Sequence, residues 1–220
     1  IECYDYQPQQ AVKSVENLYD GSSEIVVPDE LVENFYNDIE VFLPDQKSKL
    51  FPNHYLVLKS EKDTKKTALC RFKNYETPLQ KIYTYRDIWG LSAKNKEQKY
   101  AMDLLFDKNI QIISLTGQAG TGKTLIAAAC GLEQVLHNTK ANGGYDKLII
   151  TRPVQPMGRD IGFLPGTLEE KMLPWIAPIR DNLEYLFGDK TALQMHMEQG
   201  IVEIEAMTYI RGRSISNAFM

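Results

Sequence analysis

The sequence predicts an α/β protein with a parallel sheet, preceded by a small β-rich domain. Helical and strand patterns alternate from about residue 91, which is typical of parallel α/β sheets. A glycine-rich loop at 117–124 lies between a strand-like and a helix-like apolar run. Charge also divides the chain: residues 1–45 carry a net charge of −10, residues 46–90 carry +6, and residues 91–220 hold 14 charges of each sign. We therefore expect one domain over residues 1–90 and a second over residues 91–220.

The composition is that of a globular protein, with 43% hydrophobic residues, 25% charged residues and a net charge of −4. No apolar stretch approaches the roughly 18 residues of a membrane span, and the start shows no signal-peptide pattern. Three scattered cysteines fit a reducing cytosol, so we expect a cytoplasmic protein with no membrane partner, and core packing for Cys130. The chain starts at Ile1 and ends within a new apolar run, which suggests a piece of a longer protein.

The first domain is predicted to be mostly β-structure. Ser23–Val27 is a short strand candidate, and Pro28 with Asp29 signals a helix from Asp29 to about Tyr36. Two β-rich runs, Tyr55–Lys59 and Thr67–Phe72, flank a charged turn and predict a hairpin. A third strand is expected over Gln80–Tyr85.

Basic and aromatic residues interleave in this β-rich stretch, and two interpretations remain open. Single-stranded nucleic acid is bound by this mixture, because cations follow phosphates and aromatic faces stack on bases. Alternatively the aromatic residues fill a small core while the lysines keep the hairpin soluble, which is slightly favoured for any single residue. The residues concerned are Lys59, Arg71, Phe72, Lys73, Tyr75, Lys81, Tyr83, Tyr85 and Arg86.

The second domain begins with a helix over Asn95–Phe106. Ile110–Leu115 is predicted to be a buried strand, and Leu125–Cys130 the helix that leaves the glycine-rich loop. After a surface turn over His137–Tyr145, Lys147–Thr151 is the next expected buried strand.

A long helix is expected from Thr167, where Thr167 and Glu170 form a T-x-x-E capping box. Pro174 and Pro178 fall inside its apolar pattern, so a kink or break is predicted there. Ile201–Glu205 is predicted to be a further strand.

The glycine-rich loop fits the phosphate-binding pattern of two glycines four residues apart, followed by Lys and Thr. Its glycines permit positive φ, and its N–H groups then form an anion nest at the positive end of a helix. Lys123 should reach the β- and γ-phosphates and Thr124 should ligate Mg²⁺, whereas a turn without a ligand needs neither. The predicted nucleotide-binding residues are Gly117, Gln118, Ala119, Gly120, Thr121, Gly122, Lys123 and Thr124.

Further polar residues are candidates for contacts around this site. Gln98 can pair with both donor and acceptor positions of an adenine edge, although alone it would be an ordinary polar helix residue. Arg152 follows a strand at the edge where ligands bind in parallel sheets, so it is placed for a phosphate or for a salt bridge. Four more basic residues could form a nucleic-acid rim with it: Arg159, Lys171, Arg211 and Arg213.

From Asn95 onward the sequence resembles the PhoH family of bacterial ATPases. The resemblance rests on Asn-Lys-Glu-Gln at 95–98, the loop at 117–124, Thr-Arg-Pro at 151–153, the run at 160–171, and Arg-Gly-Arg at 211–213. The run at 160–171 is the most specific of these, because phosphate loops occur in many unrelated proteins. Residues 1–90 more weakly resemble the segment that joins a PIN nuclease domain to the ATPase in two-domain members.

This resemblance implies a RecA-like P-loop NTPase core whose parallel sheet is incomplete at its C-terminus. It also implies ATP and Mg²⁺ as cofactors, helicase-like ATP hydrolysis linked to single-stranded RNA, a PIN nuclease domain in the same longer polypeptide, and a bacterial cytoplasmic location. A homo-oligomer is an open possibility. The family's acidic Mg²⁺-binding and water-activating residues belong on the strand expected after Met220, so we expect this chain to bind nucleotide weakly and hydrolyse it poorly.

Two other functions remain open at this stage. A small-molecule kinase could use the same loop, but residues 125–220 show no clear arginine-rich lid. An RNA-binding assembly module could instead use nucleotide as a structural clamp, which the basic segment 46–90 would support.

Overall fold

The computed structural model describes residues 19–43, 50–83, 85, 87–137, 144–153 and 168–220, without the side chains of residues 168–175 and 208. The chain divides into two compact units, Ile1–Ile82 and Tyr83–Met220. The first unit holds a four-stranded sheet, and the second holds a three-stranded parallel sheet with helices. The predicted α/β class with parallel strands is therefore confirmed.

The sheet of the first unit has the order β1-β2-β3-β4. Strand β1 (Ser22–Val27) runs parallel to β2 (His54–Ser60), and helix α1 (Asp29–Tyr36) lies between them in sequence. Strand β3 (Thr67–Phe72) pairs antiparallel with β2, which confirms the hairpin. Strand β4 comprises only Gln80–Lys81, so the third strand is shorter than expected.

Helix α1 covers one face of this sheet. Val32 and Phe35 of α1 are buried against Leu56 and Leu58 of β2 and Phe72 of β3, in one apolar cluster. Burial of side chains of this kind contributes roughly 2 kcal/mol each to the free energy of unfolding of this unit. The helix has the bounds that its apolar spacing predicted.

The second unit contains a parallel sheet of order β6-β5-β7. Its central strand β5 (Lys147–Arg152) pairs with β6 (Val202–Ala206) and with β7 (Ala218–Phe219). The described part of this unit contains five α-helices and one π-helical turn. They are α2 (Lys96–Phe106), α3 (Lys123–Leu132), the π-helical turn (Glu133–His137), α4 (Leu168–Phe187), α5 (Lys190–Glu198) and α6 (Met207–Ile210).

The run 110–115, predicted to be a buried strand, is not a strand in the structure. Ile113 and Leu115 pack against the core, whereas Ile112 is 90% exposed. This alternation of packed and exposed side chains is typical of an extended chain that has one face against the core. The prediction is wrong because a strand needs a neighbour for its backbone hydrogen bonds, and no described strand forms a ladder with these residues.

Helix α3 lies against the sheet at the position of Gly131. A Cβ atom on Gly131 would be 2.8 Å from both Leu148 Cδ1 and Phe219 Cδ1, so the helix approaches β5 and β7 as closely as glycine permits. Cys130 is fully buried beside it, and burial raises the pKa of its thiol to about 12. Its predicted role in core packing is confirmed.

A kink or break was expected at Pro174 and Pro178; helix α4 runs through both residues as one helix, so the break does not occur. Buried Ile179, Leu183 and Leu186 fasten its second half to the core and offset the lost backbone hydrogen bonds. Thr167, and with it the expected capping box, lies outside the described residues. No helix among those described is long and apolar enough to cross a membrane.

Helix α5 was not predicted, although its start carries a signal. The Asp189 carboxylate accepts a hydrogen bond from the Thr191 N–H at 2.9 Å, which is an N-cap interaction. The surface turn expected over His137–Tyr145 falls mostly on residues 138–143, outside the described part of the chain.

His54 is a buried polar residue at the start of β2. Its Nδ1 lies 2.7 Å from Tyr19 Oη and its Nε2 lies 2.8 Å from Ser23 Oγ, so both ring nitrogens are engaged by hydroxyl groups. Burial lowers the pKa of the imidazole, and the charge of Asp20 opposes that shift only in part. The fold therefore favours the neutral imidazole.

We predict that Gly131→Ala destabilises the second unit by about 1 kcal/mol, because overpacking costs about 1–3 kcal/mol and the better helix propensity of Ala returns up to about 1 kcal/mol. Urea unfolding measures the change. Leu148→Val in the same chain should reduce the penalty by shortening one of the two side chains that the new methyl group meets. An unchanged or increased stability of the Gly131→Ala chain would show that the helix is not held this close to the sheet.

We predict that the first unit loses stability as the pH falls from about 7 to about 5.5, through the ordinary histidine pKa of about 6.5. The unfolded chain then takes up a proton that the folded imidazole of His54 resists. Hydrogen exchange of the β2 amides at the two pH values, corrected for intrinsic rates, measures the effect. His54→Asn should remove this pH dependence, and His137→Gln, at an exposed imidazole of the second unit, should leave it intact.

Candidate nucleotide site

The loop at 117–124 takes its shape from three glycines in left-handed backbone conformations. Their φ angles are +149° at Gly117, +78° at Gly120 and +84° at Gly122. Gly122 is also the residue that caps helix α3, which begins at Lys123. Side chains other than hydrogen are strained at such angles, so the glycine spacing in the sequence dictates this loop.

The Lys123 ammonium group lies across the loop that precedes it. Its Nζ donates hydrogen bonds to the carbonyl oxygens of Gly117 at 2.8 Å and Gln118 at 2.6 Å. The hydroxyl of Thr121 is 3.2 Å from the same nitrogen and donates to the Gln118 carbonyl at 2.9 Å. The positive charge is therefore held at the mouth of the loop, where an anionic group bound by the loop amides would meet it.

The N-cap residue of helix α3 is Gly122, which has no side chain to accept hydrogen bonds from the amides of the first turn. These amides and the positive end of the helix dipole favour a phosphate group. Thr124 is exposed in this first turn, where its hydroxyl could hold a Mg²⁺ ion that also contacts the phosphates. The residues present thus fit both ATP and Mg²⁺.

Gln98 joins the start of helix α2 to this loop. Its Oε1 accepts a hydrogen bond from the Lys94 N–H at 2.7 Å, and its Nε2 donates to the Thr121 carbonyl at 3.2 Å. Its own backbone N–H donates to the Asn95 side chain at 2.8 Å, which caps the helix. The structure therefore brings Gln98 and the phosphate loop together, and the role of Gln98 in reading adenine stays a prediction.

The basic residues predicted to contact nucleic acid are not all placed by the structure. Arg152 is exposed at the C-terminal end of β5, at the edge where ligands bind in parallel sheets. Arg211 is exposed after α6, and no described residue pairs with its guanidinium group. Arg159 lies outside the described residues, and for Lys171 only the backbone, within α4, is described.

Arg213 belongs to an ionic network along β6. Its two terminal nitrogens donate to Glu205 at 2.5 Å and to Glu203 at 2.9 Å, and Glu203 also accepts from Lys147 of β5 at 2.9 Å. Burial alone would raise the pKa of Glu203, but the hydrogen bonds from Lys147 and Arg213 outweigh it and the pKa is lowered. The hydrogen bond to Glu205 is the main reason that the pKa of Arg213 is raised. Both carboxylates therefore hold Arg213 on the sheet.

The basic residues of the first unit are also engaged within the protein. Arg71 is only 5% exposed and donates to the Asn53 side chain, with Nη2 at 2.7 Å. Lys59 pairs with Glu24, and Lys81 Nζ lies 2.5 Å from Asp38. Phe72 is buried with Tyr75 packed on it at 4.8 Å between ring centroids. For these residues the geometry favours the core-and-solubility interpretation. Arg86 lies outside the described residues.

Sequence reasoning missed the carboxylates that position the loop after α6. Glu203 and Glu205 alternate with apolar residues along β6, so they share one face of that strand, and a Glu-x-Glu pattern before an Arg-Gly-Arg run was the available signal. It also missed the role of the Thr121 hydroxyl, which hydrogen-bonds within the loop.

Comparison with known proteins agrees with this geometry. The family model described as "PhoH-like protein" matches residues 90–220. Protein PhoH2 of Bacillus subtilis is 38% identical over 210 residues, which is 93% of this chain and 47% of that protein. Protein PhoH2 of Mycolicibacterium smegmatis is 37% identical over 148 residues, 67% of this chain and 33% of that protein.

Protein PhoH of Escherichia coli K12 is 37% identical over 134 residues, covering 60% of this chain and 36% of that protein. The chain thus spans about half or less of the length of these relatives. The Bacillus subtilis match covers 93% of the chain and so extends into the first 90 residues. The loop, the parallel sheet and the family match together describe an ATPase-like protein of the P-loop NTPase class, and the chain belongs to the PhoH-like protein family.

Proposed function

We propose that the loop at 117–124 binds ATP with Mg²⁺, and that ATP hydrolysis is the activity of the whole protein. The observation that carries this proposal is the position of Lys123: its Nζ lies over the loop carbonyls at 2.6–2.8 Å, beside the uncapped first turn of α3. Lys123 would neutralise the β- and γ-phosphates, the loop amides would hold them, and Thr124 would orient the metal. Bound Mg²⁺ would supply further charge neutralisation on the phosphates.

Gln98 supports adenine as the base. A side-chain amide has two N–H donors and an oxygen with two lone pairs, and the structure engages one of each. One donor and one lone pair therefore remain, and these are the groups that an adenine N7 and N6 amino group require. Gln98 can thus contact a base without releasing the loop.

We further propose that the whole protein couples ATP hydrolysis to single-stranded RNA and acts with the PIN nuclease domain that the family resemblance implied. The homo-oligomer stays an open possibility from the sequence. Among the described candidates, Arg211 supports this proposal best, because the residue is exposed and no described residue pairs with its guanidinium group; Arg152 is a second exposed candidate, at the C-terminal end of β5. Arg213, in contrast, is held by two carboxylates. A cytoplasmic location is proposed from the three scattered cysteines and from the family resemblance.

We predict that Lys123→Ala lowers the affinity for MgATP by about 10- to 100-fold, the value of one or two charge-assisted hydrogen bonds. Isothermal titration of the 220-residue chain with MgATP measures the loss. Lys190→Ala, at an exposed lysine of α5, is the matched control and should bind as the unchanged chain does. Circular dichroism should show that both variants fold. Equal affinity of the Lys123→Ala and unchanged chains would remove the loop from the binding site.

We predict that Arg211→Ala weakens binding to oligo(U) without changing stability, and that it reduces the salt dependence of binding by about one phosphate contact. Arg213→Ala should instead lower the unfolding free energy, because it leaves Glu203 and Glu205 without their shared cation. Fluorescence anisotropy at several salt concentrations and urea unfolding measure the two effects. If Arg213→Ala alone weakened RNA binding at unchanged stability, the assignment of the two arginines would be reversed.

A further inference from the structure

The turn before helix α2 has an unusual residue at its tightest point. Ile88 and Leu91 exchange both backbone hydrogen bonds at 2.9 Å, and the two residues between them, Trp89 and Gly90, have φ of +50° and +74°. Positive φ at both central positions is the signature of a tight two-residue turn that favours Asn, Asp and Gly. Trp89 therefore occupies a strained backbone position that an interaction of its side chain must offset.

That interaction is the packing of two aromatic rings against the indole ring. The ring stacks on His137 at 5.2 Å between centroids with an interplanar angle of 20°, and it meets Phe187 edge-on at 5.1 Å. Phe187 in turn stacks on His196 at 5.2 Å. We call these four side chains the indole cluster: Trp89, His137, Phe187 and His196. The indole N–H is buried without a hydrogen-bond partner among the described residues, so packing alone orients the ring.

The indole cluster connects the turn to the far end of the nucleotide helix. His137 closes the π-helical turn that continues α3, and α3 begins at Lys123 with the phosphate loop. By the helical rise, the two ends of this segment are about 20 Å apart. Nine residues beyond Trp89, Gln98 donates to the Thr121 carbonyl of the loop. The chain from Trp89 to Gln98 thus contacts the far end of this helical segment through the indole ring, and the loop at its near end through Gln98.

We propose that Trp89 is a positioning residue for the nucleotide site, which acts through Gln98. The stacked indole fixes the turn, the turn fixes the entry to α2, and that entry sets the Gln98 amide against the Thr121 carbonyl. Loss of the ring frees this entry, so the Gln98 amide no longer holds the loop in its binding conformation. The proposal rests on the proposed binding of ATP at this loop.

A set of variants separates the ring from the turn. Trp89→Asn suits the positive φ but removes the ring, whereas Trp89→Phe keeps an aromatic ring in contact with His137 and Phe187. We expect Trp89→Asn to weaken MgATP binding by about five- to tenfold and Trp89→Phe by no more than about twofold. Tyr185→Ala is the matched control, since this aromatic side chain of α4 is 67% exposed and lies outside the indole cluster.

A double-mutant cycle then tests the route through Gln98. Gln98→Ala should weaken MgATP binding, and Trp89→Asn combined with Gln98→Ala should bind no more weakly than Gln98→Ala alone. Losses that multiply in the double variant, or unchanged affinity of Trp89→Asn, would overturn the proposal. If Trp89→Asn fails to fold, His137→Ala at an exposed position decides, with an expected loss of about twofold in affinity against no change.

Amide hydrogen exchange of the nucleotide-free chain tests the positioning role of Trp89 independently of whether the loop binds ATP. Trp89→Asn, or His137→Ala in its place, should speed exchange at the amides of residues 117–122, and Tyr185→Ala should not. Failure of the unchanged chain to bind MgATP would refute the proposed function while the exchange data still decided the positioning role. Unaltered exchange in the loop of Trp89→Asn and His137→Ala would refute the positioning role even if MgATP bound.

Discussion

The nucleotide site depends on the junction between the loop and helix α3, where the backbone reverses through Gly122 at a φ of +84°. This left-handed residue leaves the first amides of the helix pointing into the loop rather than at a capping side chain. The same junction places Lys123 so that its ammonium group returns over the Gly117 and Gln118 carbonyls. A Cβ atom at Gly122 would lie in ordinary contact with the Gln98 amide at 3.5 Å, so it is the backbone angle and not the space around it that requires glycine here.

This junction can bind a phosphate group in one geometry only if helix α3 is held in a fixed position. Gly131 allows α3 to lie directly on Leu148 and Phe219, and Gln134, 1% exposed, donates to the Leu105 carbonyl at 3.0 Å from the π-helical turn. The first contact fixes α3 on the sheet, and the second fixes its end on α2. Interiors packed this closely transmit strain rather than absorb it, so the loop has a rigid support.

The sequence predicted those features that local chemistry determines. Glycine spacing defined the loop, Asn95 marked the start of α2, and two β-rich runs on either side of a charged turn predicted the hairpin of the first unit, because each depends on residues close together in the chain. The strand expected over 110–115 failed because pairing requires a partner elsewhere in the chain. The positive φ of Trp89 could not be predicted from the sequence either. Turn preferences would place Asn or Gly at this position, and only the tertiary packing of the ring supports Trp there.

Tertiary pairing also decides which basic residues can meet a ligand. Sequence alone gave Arg211 and Arg213 the same expected role, yet two carboxylates on β6 bind Arg213 and leave Arg211 exposed. The segment that follows is fixed in turn: the Asp146 N–H donates to the Asn217 carbonyl at 2.8 Å, and β7 then pairs with β5 beneath α3. Arg213 therefore ties the loop after α6 to β6, and the Asp146–Asn217 hydrogen bond ties the start of β7 to the start of β5. Because β7 and α3 meet at Phe219 and Gly131, the strand that follows this loop lies directly under the helix that carries the phosphate loop, and its packing supports that helix.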